Sequence, residues 1–168
     1  MKFSTETIKK MAEIMVDEME QVGMLEEQIR EIESGMRELL RAVGAEALSQ
    51  ALEDTDDKLF SEQGRPCECG GSLKYHSRRK AVIVSVFGRV RYLRRYTICE
   101  KCGHGKSPLD RQVGIAAGEV TAGLAELLAL AGVEVAFDEA SRWLERFLLF
   151  RVSDNTVRKE TERFGALQ

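Results

Sequence analysis

The sequence predicts an α+β chain in three segments, and three observations predict it. A heptad-spaced apolar seam lies near the start, an alternating apolar run flanked by two cysteine pairs fills the middle, and helical spacing returns at the end. Hydrophobic residues are 43% of the 168 and charged residues 32%, the balance of a globular protein that buries one ordinary core or a few small ones. No stretch approaches the roughly 20 apolar residues that span a bilayer. The start, MKFSTETIKKMAE, carries no apolar signal region. The expected address is cytoplasmic, with no membrane partner and no small-molecule substrate.

Residues 5–52 contain no proline and read as helix. Ile8, Met11, Met15, Val22, Leu25, Ile29, Ile32, Met36, Leu39 and Val43 follow steps of three and four, broken only at Glu18. That a/d seam predicts a coiled coil or long helical hairpin, and a homodimer formed through it; a helix folded back on its own domain fits the same spacing. Gly23 and Gly35 weaken a single rod, since glycine costs roughly 1 kcal/mol relative to alanine inside a helix. The run EDTDDKLFSEQG at 53–64 reads as an acidic linker. The first segment is therefore an acidic helical dimerisation segment over 1–64.

From Arg65 the pattern changes. Val82, Val84 and Val86 alternate, Phe87-Gly88-Arg89 supplies a turn, and Val90-Arg91-Tyr92-Leu93 resumes the alternation, which predicts a β-hairpin bending near Gly88. All four cysteines lie around it, as Cys67-x-Cys69 and Cys99-x-x-Cys102. Two close pairs joined across a hairpin suit a tetrahedral structural Zn²⁺, and Gly70, Gly71, Gly103 and Gly105 suit the turns that aim backbone N–H groups at the sulfurs. A disulfide framework and a redox dithiol at Cys99–Cys102 are the competing readings. The lack of a secretory signal weighs against the first, and the lack of a surrounding βαβ pattern against the second. The single residue between Cys67 and Cys69 makes the first pair unusual. His76 and His104 are the other conceivable ligands. Four thiolates leave no open position for water, so the metal is expected to be structural and not catalytic. The second segment, 65–111, is a zinc ribbon.

Charge is sharply segregated. Residues 1–64 carry 7 basic and 16 acidic side chains, a balance of −9; residues 65–111 carry 12 and 3, a balance of +9; residues 112–168 carry 6 and 9. A net charge of −3 hides this. The basic middle points to nucleic acid, although a solvated charged face is the plainer explanation and a zinc tetrathiolate would itself absorb about two of the cations. Arg78, Arg79 and Lys80 precede the bend, and Arg89, Arg91, Arg94 and Arg95 follow it. Alternation aims Arg89, Arg91 and Arg95 to one side and Val90, Tyr92 and Tyr96 to the core. Such cations grip phosphate and confer affinity more than base discrimination.

The last segment, 112–168, reads as three helices. Thr121 is the expected N-cap of the first, which carries Leu124, Leu127, Leu128 and Ala131 and stops at Gly132. The second, 138–148, turns Trp143, Leu144 and Phe147 inward. The third starts after Ser153 with Val157, Thr161 and Phe164 on one face. The last two have the outline of a helix-turn-helix, without the glycine usual in its turn. The second helix of that pair would offer Asn155, Thr156, Arg158, Lys159 and Arg163 to base edges and phosphates; an ordinary helical hairpin fits as well.

The stretch CECGGSLKYHSRRKAVIVSVFGRVRYLRRYTICEKCGHGKSPLD, with the later VSDNTVRKETERFG, resembles the amino-terminal region of bacterial insertion-sequence transposases of the Kra type. The matching positions are Cys67, Cys69, Gly70, Gly71, Tyr75, Arg78, Arg79, Phe87, Gly88, Arg94, Tyr96, Cys99, Cys102, Gly103, Pro108, Leu109 and Asp110. The resemblance implies binding to the terminal inverted repeats of a mobile element, ahead of a ribonuclease H-like catalytic domain. No such domain is expected here, because the sequence stops at Gln168, so the resemblance does not carry the family's activity over and the chain is expected not to be an enzyme. Zinc-dependent, dimeric binding of double-stranded DNA is the expected function. A transcriptional regulator with the same modules and a zinc-stapled protein-interaction scaffold are the rivals.

Overall fold

The computed structural model describes residues 4–60, 64–116 and 118–166. It is an α+β chain that parts into two compact units, Met1–Gly44 and Ala45–Gln168. The helical segment expected over 1–64 is thus divided, and its second part belongs to the same unit as the sheet.

In the first unit, helix α1 (Thr5–Gln21) begins at Ser4, whose Oγ accepts the Thr7 N–H at 3.1 Å. It does not carry the heptad seam onward. Gly23 adopts a left-handed φ of 70°, and a 3₁₀ turn, Met24–Glu26, intervenes before α2 (Ile29–Lys58). The helix read over 5–52 is interrupted there, at one of the two glycines expected to weaken a single rod. Gly35 instead stays inside α2, where a Cβ would collide with the Met24 side chain. Much of the seam is bare: Ile8, Met11, Val22, Leu25, Ile29 and Val43 are all exposed.

The second unit is built on an antiparallel sheet of order β1-β2-β3-β4. Long strands β2 (Ser72–Ser85) and β3 (Gly88–Cys99) form a hairpin, with short β1 (Arg65–Pro66) and β4 (Gly105–Lys106) added at its cysteine end. Val86 and Phe87 make the bend between paired Ser85 and Gly88, and Gly88 accepts a φ of 97° that a side chain would resist. Ala81, Ile83, Val90 and Tyr92 cover one face and pack on Leu52 of α2 and on Leu109 of α3 (Pro108–Val113). Cross-strand pairing puts Lys80, Val82 and Val84 opposite Leu93, Arg91 and Arg89 on the other face.

The supposed linker is helix as far as Lys58; residues 61–63 lie outside the described residues. Its polar side chains have a structural use. Ser49, Glu53 and Asp56 recur at helical spacing along one stripe of α2 and meet the open edge of β3. Ser49 Oγ donates to the Arg91 carbonyl (2.7 Å), Glu53 accepts the Leu93 N–H (2.8 Å), and Asp56 accepts the Arg95 N–H (3.0 Å). Side chains here satisfy backbone groups that a neighbouring strand would otherwise pair.

Helices α4 (Ala122–Glu134), α5 (Phe137–Leu148) and α6 (Asp154–Gly165) enclose Leu124, Leu128, Ala140, Leu144, Val152 and Val157. Three expectations need correction. Gly132 does not stop α4, which continues to Glu134; a Cβ at Gly132 would collide with Thr161, so the glycine permits the close approach of α4 and α6. Trp143 and Phe147 are exposed, and small Ala140 and Ser141 join Leu144 on the inward face. Thr121 holds the N-cap position of α4, but its side chain makes no capping bond. Ser153 does cap α6, accepting the Thr156 N–H at 3.2 Å. Among the described residues, no helix is long and apolar enough to cross a membrane.

Candidate functional site

Two tight turns build the cysteine cluster. In the first, Cys67 N–H donates to the Gly71 carbonyl and Gly70 N–H donates to the Cys67 carbonyl, both at 2.9 Å. In the second, Cys99 N–H donates to the His104 carbonyl and Gly103 N–H to the Cys99 carbonyl, both at 2.8 Å. Gly70 and Gly103 occupy the left-handed region, with φ of 78° and 70°. The two turns bring four sulfurs together: Cys67–Cys102 at 3.7 Å, Cys69–Cys99 at 3.5 Å, and all four ligand atoms within 4.8 Å of one another. Tetrahedral thiolates at zinc distances would stand about 3.8 Å apart, so the cluster is compatible with zinc. Gly71 is needed for this closeness, because a Cβ there would lie 2.8 Å from Cys99 Sγ and 3.3 Å from Cys69 Sγ. That tolerance is how a one-residue spacing works in the first pair.

The electrostatics favour a cation. The Cys102 backbone N–H, aided by that of Lys101, brings the Cys99 thiol down to about 6. At Cys69 the Gly71 N–H also pulls down, but the crowding sulfurs of Cys102 and Cys99, together with burial, push the thiol up to about 12. A second thiolate beside the first is disfavoured until a positive ion sits between them. His104 lends the cluster only its carbonyl, and His76 lies on exposed β2 with Nδ1 3.1 Å from Ser77 Oγ.

The expected DNA-contacting cations divide into two groups. Arg95 pairs with Asp56 (3.0 Å) and Asp57 (2.7 Å), Arg78 pairs with Asp57 (2.6 Å), and Arg94 pairs with Asp110. Arg79 lies over the Tyr96 ring, 3.5 Å from its centroid. Arg95 therefore does not project with Arg89 and Arg91 as expected; it turns to α2, where the buried Asp56 carboxylate binds both its backbone and its guanidinium. Burial raises the Asp110 carboxyl despite the Arg94 charge beside it. Lys80, Arg89 and Arg91 are exposed, share the face away from the hairpin core, and have no carboxylate partner among the described residues. The acidic partners were not singled out from the sequence. The nearness of the EDTDD run to a basic segment was the available signal.

The segment between α5 and α6 is irregular. Leu149, with φ of 60°, takes the left-handed position that a glycine usually fills, at a cost of roughly 1–2 kcal/mol. Val152 inserts into the core, and its carbonyl accepts Ser141 Oγ at 2.5 Å. On α6, Val157 and Glu160 are buried, whereas Asn155, Arg158, Lys159 and Arg163 are exposed. Thr156 is half-buried and tied to the Ser153 cap.

No curated protein matches the chain. The model of one family matches residues 23–168, which takes in all four cysteines, the hairpin and the three closing helices. The chain belongs to the uncharacterised protein family UPF0236.

Proposed function

We propose that the chain binds double-stranded DNA through a zinc ribbon and an adjoining helix-turn-helix. Such a module would serve the end-recognition role implied by its resemblance to Kra-type transposases. The observation that carries this reading is the division among the hairpin cations. Carboxylates and Tyr96 occupy Arg78, Arg79, Arg94 and Arg95, while Lys80, Arg89 and Arg91 are left together on one face without a counter-charge among the described residues. Same-sign charges kept adjacent and unpaired repel, and a polyanion relieves that repulsion. Asn155, Arg158 and Lys159 add an exposed polar face of the type that contacts base edges and phosphates. Zinc would hold Cys67, Cys69, Cys99 and Cys102, closing the end of the sheet from which the hairpin extends. Its role is structural, and none of the proposed contacts needs a catalytic residue. The exposed seam of α1 and early α2 supports association with a second copy.

Anisotropy with a labelled duplex tests the reading. Zinc-loaded protein should bind at low salt and release as salt rises. Removing the metal with a chelator should abolish binding and unfold the cysteine end, because structural zinc contributes on the order of 10 kcal/mol of binding free energy to folding. Absence of duplex binding by the zinc-loaded protein, even at low salt, would overturn the proposal.

A further inference from the structure

A cleft of about 500 Å³ opens between the hairpin bend and α6. It falls within the roughly 300–1,000 Å³ of ligand-sized pockets and is too confined for a duplex. Its lining combines Val84, Val120 and Phe150 with the cations Arg89, Arg151, Lys159 and Arg163. One further group is unusual. Glu160 lines the same cleft, is only 3% exposed, and its enclosed Oε2 accepts no hydrogen bond from the described residues, although it forms an ion pair with Arg163 Nη1 at 3.5 Å. A buried acceptor without a hydrogen bond calls for a donor, and a ligand would supply one once the exposed Arg163 side chain swings aside.

These features constrain the occupant. Four cations against Glu119 and Glu160 repel a metal ion. A simple anion would meet the Glu160 carboxylate with nothing to give it. The ligand must carry negative charge at one end, an N–H donor at the other, and an apolar face between. We propose that the cleft receives a single unstacked nucleotide, its phosphate held by Arg89, Arg151 and Lys159 and its base amino group donating to Glu160. Cytosine, adenine and guanine carry that exocyclic amino group; an unpaired thymine offers only its ring N3–H, flanked by two carbonyl oxygens that a carboxylate repels. The proposal rests on the nucleic-acid reading and narrows it, from duplex phosphates to one base outside the stack. An unpaired nucleotide in a strand and a free nucleotide offer the same chemistry.

The test uses the full zinc-loaded chain and three labelled DNAs: a blunt duplex, the same duplex with one unpaired terminal cytosine, and the same with an unpaired thymine. Cytosine should tighten binding at least fivefold over the blunt duplex, and thymine by much less. Arg151→Ala, at an exposed position, should remove most of the cytosine advantage, and Glu160→Gln should narrow the gap between cytosine and thymine. Cytidine monophosphate competing away only the cytosine advantage would identify the free nucleotide as an occupant; failure to compete would identify the strand-borne form. Equal binding of all three DNAs would overturn the cleft proposal while leaving duplex binding intact. Binding of none of them, with cytidine monophosphate bound alone, would support the cleft and sink the duplex reading.

Discussion

The cysteine half and the bend half of the β2–β3 hairpin carry similar cations and use them differently. Toward the cysteines, Arg78, Arg94 and Arg95 meet Asp57, Asp110 and Asp56, and the edge of β3 is sealed by the side chains of α2. Toward the bend, Lys80, Arg89 and Arg91 stand in solvent with no such partner among the described residues. The lesson is that a positive segment is not a positive surface. Several of the cations in residues 65–111 hold the fold together, and a smaller set is available to another molecule.

That contrast can be broken by mutation. The largest effect is expected at Asp56→Ala. It removes a buried carboxylate that binds the Arg95 guanidinium and the β3 backbone together, and breaking a buried pair from one side costs about 3–5 kcal/mol. Urea unfolding should show that loss, and an unchanged midpoint would mean the α2 seal contributes nothing. Arg94→Ala should cost less, about 1.5–3 kcal/mol at neutral pH, the range for a hydrogen bond to a charged group. Here pH supplies a sign. Burial holds the folded Asp110 carboxyl above its unfolded value, so its protonated form is the one folding favours, and its contribution to stability falls as pH rises through the folded value. Without Arg94 this penalty grows, so the Arg94→Ala loss should shrink as pH is lowered into the range where Asp110 takes up its proton. A loss that is independent of pH would contradict the pairing. The smallest effect on stability belongs to the bend half: Arg91→Ala should shift unfolding by no more than about 0.5 kcal/mol.

Local chemistry was legible in the sequence; remote partnership was not. The cysteine spacing, the alternation from Ala81 to Leu93 and the Ser153 cap each depend on residues close in the chain, and each appears in the structure as four neighbouring sulfurs, a hairpin and a helix start. Zinc, DNA and the dimer remain proposals built on that frame. The acidic run at 53–64 reads as a linker because charge and low hydrophobicity mark solvent exposure; the use of its Glu53 and Asp56 to seal the edge of β3 depends on Leu93 and Arg95, about 40 positions away. Trp143 and Phe147 were expected inside because bulk usually goes inward. The closeness of α4 and α6 instead accompanies a core lined partly by Ala140 and Ser141. Leu149 carries no sign of its left-handed backbone, since a leucine there is costly and only the surrounding packing keeps it.

The most direct measurement is the salt dependence of duplex binding by the parent chain, by a Lys80→Ala/Arg89→Ala/Arg91→Ala triple variant and by Arg78→Ala. Each phosphate contact contributes about 0.9 to the slope of log K against log salt, so the triple variant should lose about 2.7 from it, while Arg78→Ala, whose partner is Asp57, should leave it unchanged. A slope unaffected by the triple variant, or lowered as much by Arg78→Ala, would contradict the division of the hairpin into a structural and a binding half.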